Sequence, residues 1–262
     1  MVAALAAAAL ALSPPAATIV AAGDVASCRS SGDEATARLL DRIPGTIALL
    51  GDSVYERGTS EEYRRCFSWR RHRSRIRPAI GNHEYGTPGA AGYFAYFRVP
   101  QWYSYDLGAW HVVVLNSNCG PAGGCRVDSA QGRWLRADLA AHPAKCTLAY
   151  AHHPRFSSGL HGSDATIGPL WNLLAAHGAD LFLAGHDHHY ERFAPKGGIR
   201  QFVVGTGGRS LYPVVRRLRG SQTRSSSTYG VLVLTLREDD YSWRFVPAAG
   251  GTYSDSGSAS CN

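Results

Sequence analysis

The chain has 262 residues, carries a formal charge of +7 and is 45% apolar. That length buries a full core, and that composition excludes a disordered or fibrous chain. No apolar stretch reaches the roughly 20 residues that cross a bilayer, so no internal membrane span is expected.

Residues 2–12 are an unbroken run of Val, Ala and Leu, followed by Ser13-Pro14-Pro15. The run has the length of a secretory h-region but lacks a positive segment before it. Residues 1–17 are therefore expected to be a signal-peptide remnant, and 18–262 a single domain. No accessory domain is expected upstream of residue 18. Six cysteines, an even number, fit an exported protein, secreted or in the cell envelope. Cys119 and Cys125 flank a loop of Gly120-Pro121-Ala122-Gly123-Gly124 and are the expected disulfide. Cys28, Cys66, Cys146 and Cys261 allow three pairings.

Further along, one pattern repeats: a short apolar run, then a turn with polar residues. Thr18–Ala22 runs into Gly23-Asp24, and Thr46–Leu50 into Gly51-Asp52. Pro78–Ile80 runs into Gly81-Asn82-His83-Glu84, and Thr147–Tyr150 into Ala151-His152-His153-Pro154. Leu181–Ala184 runs into Gly185-His186-Asp187-His188. Runs of this length bounded by glycine read as buried strands, in sheets covered on both faces. Helices are expected between them: Asp33 to Ile43, a short one after the capping box Thr59–Glu62, one after Asp128-Ser129, and Ile167 to His177, stopped by Gly178. After residue 190 the pattern turns to strands at Gln201–Val204, Val231–Leu236 and Trp243–Val246. The polar stretch Arg216–Thr228 reads as an exposed loop. The densest basic run, Arg64 to Arg77, reads as a solvated helix and loop. Only Lys145 and Lys196 among 27 basic residues are lysine, and no recognised motif accompanies the charge, so nucleic acid is not the expected partner.

The five turns bring together Asp24, Asp52, Asn82, His83, His152, His153, His186 and His188. In open α/β sheets such strand ends converge on one crevice. Of eleven histidines, seven lie in or beside these turns. Carboxylate, amide and imidazole without thiolate suit Mn, Fe and Zn. Two such ions sharing a carboxylate would clamp the attacking and leaving oxygens of a phosphoryl displacement.

The ordered set Gly23-Asp24, Gly51-Asp52-Ser53-Val54-Tyr55, Gly81-Asn82-His83-Glu84, His152-His153-Pro154 and Gly185-His186-Asp187-His188 resembles the calcineurin-like metallophosphoesterases. The Asp-x-x-Tyr of residues 52–55 resembles the purple acid phosphatase branch, in a small single-domain form. The resemblance implies a four-layer α/β/β/α sandwich with two mixed β-sheets. It implies two metal ions, the first held by Asp24, Tyr55 and His188, the second by Asn82, His152 and His186, with Asp52 bridging. A phenolate from Tyr55 would favour Fe(III) at the first site, with Fe, Zn or Mn at the second. The other reading of Tyr55 is a core tyrosine. His83 would meet the phosphoryl oxygens or the leaving group. His161 matches the family's second substrate-side histidine, or is an exposed loop histidine beside Gly159 and Gly162. His153 and His189 read as neighbours. Many members have a histidine two residues after the first Asp; here Ala26 stands there, as is common where the tyrosine ligand is present.

The implied activity is hydrolysis of a phosphate-ester small molecule, a phosphomonoester at acid to neutral pH, by a metal-bound hydroxide. The alternatives are a phosphodiesterase or nucleotidase on the same site, and a secreted metal- or anion-binding protein without turnover. The loops 86–108 and 119–127 would hold specificity, although the aromatic residues of 93–105 fit packing better.

Overall fold

The computed structural model describes residues 15–262. The signal-peptide expectation falls on 1–17, almost all of it outside the described residues. Fifteen strands follow in chain order: β1 (Ala17–Ala22), β2 (Ala26–Ser27), β3 (Thr46–Leu50), β4 (Val54–Tyr55), β5 (Ile76–Ala79), β6 (Tyr103–Leu107), β7 (Trp110–Val114), β8 (Cys146–Tyr150), β9 (Leu181–Ala184), β10 (Tyr190–Phe193), β11 (Arg200–Val204), β12 (Ser221–Ser225), β13 (Gly230–Leu236), β14 (Asp240–Pro247) and β15 (Ser256–Ser260). The α-helices are α1 (Gly32–Arg42), α2 (Ser60–Cys66), α3 (Ala91–Phe97), α4 (Ala130–Ala141) and α5 (Gly168–Ala176).

Two large mixed sheets form. One has six strands in the order β15-β14-β13-β1-β3-β5, the other seven in the order β12-β10-β11-β9-β8-β7-β6. The strand period of two explains how they stack. On β8, Cys146, Leu148 and Tyr150 join a core shared with Ile19, Leu49 and Leu232 of the other sheet. The alternate residue Ala149 joins a second core with Leu135 of α4 and Leu170 and Leu174 of α5. Both faces are apolar because both are covered. On the other side, α1 packs Ala37 and Leu40 against the first core. The result is the expected four-layer arrangement with two mixed sheets.

Local signals act as anticipated at the helix ends. The Thr59 hydroxyl accepts from the Glu62 N–H at 3.1 Å, and the Glu62 carboxylate accepts from the Thr59 N–H at 2.8 Å. Ser129 caps α4 through the Gly132 N–H at 3.1 Å. Gly178 follows α5 with φ 72°. Disulfides join Cys119 to Cys125, Cys28 to Cys66, and Cys146 to Cys261.

Two segments differ from expectation. The stretch Arg216–Thr228 is not a plain loop: Ser221–Ser225 pairs antiparallel with β10 as an edge strand. Its partner supplies what its polar sequence does not announce. Residues 86–108 are not a plain loop but hold α3 and β6, while the aromatic side chains there pack, as expected. Tyr96 stacks on Tyr63 with centroids 4.6 Å apart, and the Tyr93 and Tyr103 hydroxyls both donate to the Pro78 carbonyl at 3.0 Å. The basic run is tied down locally. Arg71 bridges Glu34 at 3.0 Å and Asp41 at 2.9 Å. Arg75 donates to the carbonyls of Leu40, in the last turn of α1, and Gly45, beyond its end, at 2.9 and 2.8 Å. No helix among the described residues is long and apolar enough to cross a membrane.

Candidate metal centre

The turns from both sheets bond to one another. The Gly23 N–H donates to Val204 O at 2.9 Å, the Asp24 N–H to Gly51 O at 3.2 Å, and the Gly185 N–H to His152 O at 2.9 Å. Residues far apart in sequence thus share one crevice. Asp24, Asp52 and His186 take left-handed backbone angles, with φ of 61°, 48° and 70°. Such angles cost a non-glycine residue roughly 1–3 kcal/mol and persist only where the surroundings over-determine them. The glycines make the room: a Cβ on Gly81 would lie 2.1 Å from Asp52 Oδ1, and one on Gly185 would lie 2.6 Å from Asp24 Oδ2.

The side chains fall into two groups about Asp52. On one side, the Tyr55 hydroxyl lies 2.9 Å from Asp24 Oδ1, 2.8 Å from Asp52 Oδ2 and 3.1 Å from His188 Nε2. On the other, His152 Nε2 lies 3.3 Å from Asp52 Oδ2, 3.0 Å from Asn82 Oδ1 and 3.2 Å from His186 Nδ1. His152 Nδ1 donates to Leu50 O at 2.9 Å, which turns Nε2 into the crevice. The His186 N–H holds Asp24 Oδ2 at 2.8 Å. Asn82 is exposed, so this half opens to solvent.

This arrangement fits a pair of cations. Asp24 and Asp52 are 0% and 2% exposed, yet among the described residues neither pairs with a lysine or arginine. A proton does the neutralising. Burial pushes the His152 imidazole down, but the Asp52 carboxylate beside it more than offsets this and holds it at about 10. The same contact holds Asp52 well below the carboxylate range against the opposing effect of burial. Burial and the His152 charge push His186 far down, and push His153 down to about 4. Burial and the two carboxylates push the Tyr55 phenol well up. A bound cation inverts this logic, taking the place of the protons. Donor atoms of Asp24, Asp52 and His152, and those of His152, His153 and His186, lie within 4.8 Å of one another. His153 thus stands with the cluster, its Nδ1 2.8 Å from the Ser117 hydroxyl.

The two candidate substrate-side histidines flank the crevice. His83 Nδ1 bonds to Glu56 O at 2.7 Å, its ring lies 4.2 Å from that of Tyr55, and its Nε2 is 4.0 Å from Asp52 Oδ2. His161 is exposed, with its ring 4.6 Å from that of His186. His189 is buried against Glu191 at 3.1 Å, away from the crevice contacts.

Two carboxylates within the motifs act on the turns themselves. Glu84 accepts from the N–H groups of Asp52, Ser53 and Gly81 at 3.0, 2.7 and 2.8 Å and from the Tyr63 hydroxyl at 3.2 Å. Burial, then the Asp52 charge, pushes its carboxyl up to about 7. Asp187 accepts from the N–H groups of His161 and Gly162 at 2.8 and 3.0 Å, anchoring the loop that carries His161. The signal for both was their place inside turns already marked by ligand-type neighbours.

Comparison with known proteins agrees with this geometry. The family model described as Calcineurin-like phosphoesterase matches residues 17–190, which include all five turns. An uncharacterized protein of Mycobacterium tuberculosis is 29% identical over 213 residues, 68% of this chain and 40% of that protein. Acid phosphatase type 7 of Homo sapiens is 30% identical over 158 residues, 50% of this chain and 35% of that protein. The chain therefore spans about 40% or less of the length of these relatives. The solved purple acid phosphatase from yellow lupin seeds shares the fold, with a TM-score of 0.79 at 19% identity, covering 94% of this chain and 54% of that one. With the family match running through every turn of the crevice, this chain belongs to the calcineurin-like phosphoesterase family, similar to its purple acid phosphatases.

Proposed function

We propose that the chain is a binuclear metal-dependent phosphomonoesterase that acts on small phosphate esters. One observation carries the reading: the Asp52 carboxylate stands between two complete donor groups, 2.8 Å from the Tyr55 hydroxyl and 3.3 Å from His152 Nε2. Asp24, Tyr55 and His188 would hold one ion, and Asn82, His152 and His186 the other. The phenol at the first site favours Fe(III) there; Fe, Zn or Mn suits the second. When bound, two such ions supply Lewis acidity and an activated water for in-line displacement at phosphorus.

The protein's own groups orient the ester. His83 is fixed through Nδ1 by the Glu56 carbonyl at 2.7 Å. Its Nε2 can meet a phosphoryl oxygen, or hand a proton to the leaving alcohol. His161 offers a second contact from the His186 side, on a loop fixed by Asp187 at 2.8 Å. The net charge of +7 attracts an anionic ester. Three disulfides support an exported destination.

The test is the rate on a mono-aryl phosphate against a bis-aryl phosphate, with metal content measured on protein purified without added metal. The expected result is two ions per chain and faster monoester cleavage, both lost in Asp52→Asn. Faster diester cleavage would replace the reading with a phosphodiesterase; two ions without turnover would replace it with a binding protein.

A further inference from the structure

A sixth turn follows the same plan as the five. Strand β11 ends in Val203-Val204, then Gly205-Thr206-Gly207-Gly208, and Arg209, Ser210 and Tyr212 come next. It lies against the first turn: the Gly207 N–H donates to Gly23 O at 2.9 Å. A Cβ on Gly207 would sit 2.3 Å from Gly23 O, so the approach needs glycine.

Together these three residues engage every member of the group Asp24, Tyr55 and His188: Ser210 and Tyr212 meet His188, and Arg209 meets Asp24 and Tyr55. Ser210 Oγ lies 2.8 Å from His188 Nδ1. As the acceptor of that bond it places the imidazole proton on Nδ1. Nε2, 3.3 Å from Asp24 Oδ1, is then free to bind a metal. The Tyr212 ring stacks on the His188 ring at 4.0 Å and 7°, and its N–H donates to His188 O at 2.9 Å. The Arg209 N–H donates to Asp24 O at 2.9 Å. The Arg209 guanidinium lies 5.2 Å over the Tyr55 ring and is paired with Glu56 at 2.6 Å. Its Nε is buried with no hydrogen-bond partner among the described residues, so the Tyr55 face and Glu56 are what hold it.

We infer that Arg209, Ser210 and Tyr212 are positioning residues for the ion on the Tyr55 side. Ser210 and Tyr212 fix the tautomer and plane of His188, which sets affinity. Arg209 places a cation on the π face of Tyr55 and stabilises its filled orbitals. That raises the energy of charge transfer from the phenolate to a ferric ion. The Arg209 part rests on the proposed iron at Tyr55; the Ser210 and Tyr212 part requires only a metal.

The test uses the full chain loaded with metal. Retention of each ion is read by competition with a chelator, first with zinc and then with iron. Ser210→Ala is expected to weaken retention of one ion of the two by about 10–100-fold, the range for lost partners of metal-bound histidines. Ser210→Thr should restore it, and Tyr212→Phe, which keeps the stack, should hold wild-type retention. Unchanged retention in Ser210→Ala, or loss in Ser210→Ala that Ser210→Thr does not restore, overturns this assignment. In the ferric protein, Arg209→Met is expected to move the visible charge-transfer band to longer wavelength, while Arg209→Lys leaves it near the wild-type position. A coloured wild type with an unmoved Arg209→Met band overturns the Arg209 assignment alone. A wild type that binds iron and stays colourless overturns the iron–tyrosinate reading and Arg209 with it, while the zinc measurements still decide Ser210.

Discussion

Metal uptake by this protein should release protons, and the number follows from the crevice. Without a cation, His152 holds a proton because Asp52, 3.3 Å from its Nε2, keeps it charged up to about 10. Tyr55 holds another, since burial and the carboxylates of Asp24 and Asp52 push its phenol well above its ordinary value. At pH 8 both sites are protonated. A metal-ligating imidazole is neutral and a metal-ligating tyrosine is a phenolate, so both protons must leave. The expected count from these side chains is about two protons per chain, one for each ion, so the apparent affinity for each ion should rise about tenfold per pH unit near pH 8, and the product for the pair about a hundredfold. The assay is calorimetric titration of the metal-free protein with iron and with zinc, in two buffers of different ionisation enthalpy. Tyr55→Phe should lower the count for iron by about one, and His152→Asn should lower it by about one for either metal. Water ionised on binding is common to all three proteins and drops out of the differences. A wild type that releases less than one proton, or a Tyr55→Phe that releases as many as wild type with iron, refutes the reasoning.

The same proton gives the metal-free protein a pH dependence. A histidine whose folded pKa is raised stabilises below its unfolded value of 6.5 and stops doing so as pH rises through about 10. The urea midpoint of the metal-free protein should fall across that window, and zinc loading should flatten the fall. Glu84→Gln should cost about 1–3 kcal/mol in urea unfolding at pH 8, because its amide leaves the Ser53 N–H, now 2.7 Å from a carboxylate oxygen, facing an NH2 group; a midpoint equal to wild type would show that this carboxylate does not hold the turns. Replacing both Cys146 and Cys261 with alanine should cost roughly 4–5 kcal/mol, since that bridge closes a 115-residue loop. The loss should appear in the unfolding midpoint but not in metal retention.

The crevice was legible because parallel strands deliver it in a form that sequence preserves. Buried strands such as Leu181–Ala184 must be apolar throughout, their sharp exits need glycine, and the residue after the glycine faces the ligand. Asp24, Asp52, Asn82 and His186 each stand directly after such a glycine. Where local pattern and tertiary context part company, legibility ends. Strand β15 alternates exposed and half-exposed positions, and β12 is mostly half-exposed; both lie on sheet edges with serine-rich sequences, and only their neighbours make them strands. The sixth turn has the apolar run and the glycines, but carries Arg209, Ser210 and Tyr212 in place of carboxylate and imidazole. It supports ligands and is not itself a ligand, so a search for ligand types passes over it. Disulfide pairing shows the same boundary. Cys119 and Cys125 are 6 residues apart and declare themselves, whereas Cys146 and Cys261 are 115 apart and meet only because β15 returns along the edge of the six-stranded sheet. That bridge ties the start of β8 to the end of β15 in the other sheet. His152 enters the crevice from the opposite end of β8, so the bridge secures the sheet pair without touching the donors. This separation is why its loss should lower stability while leaving both ions in place.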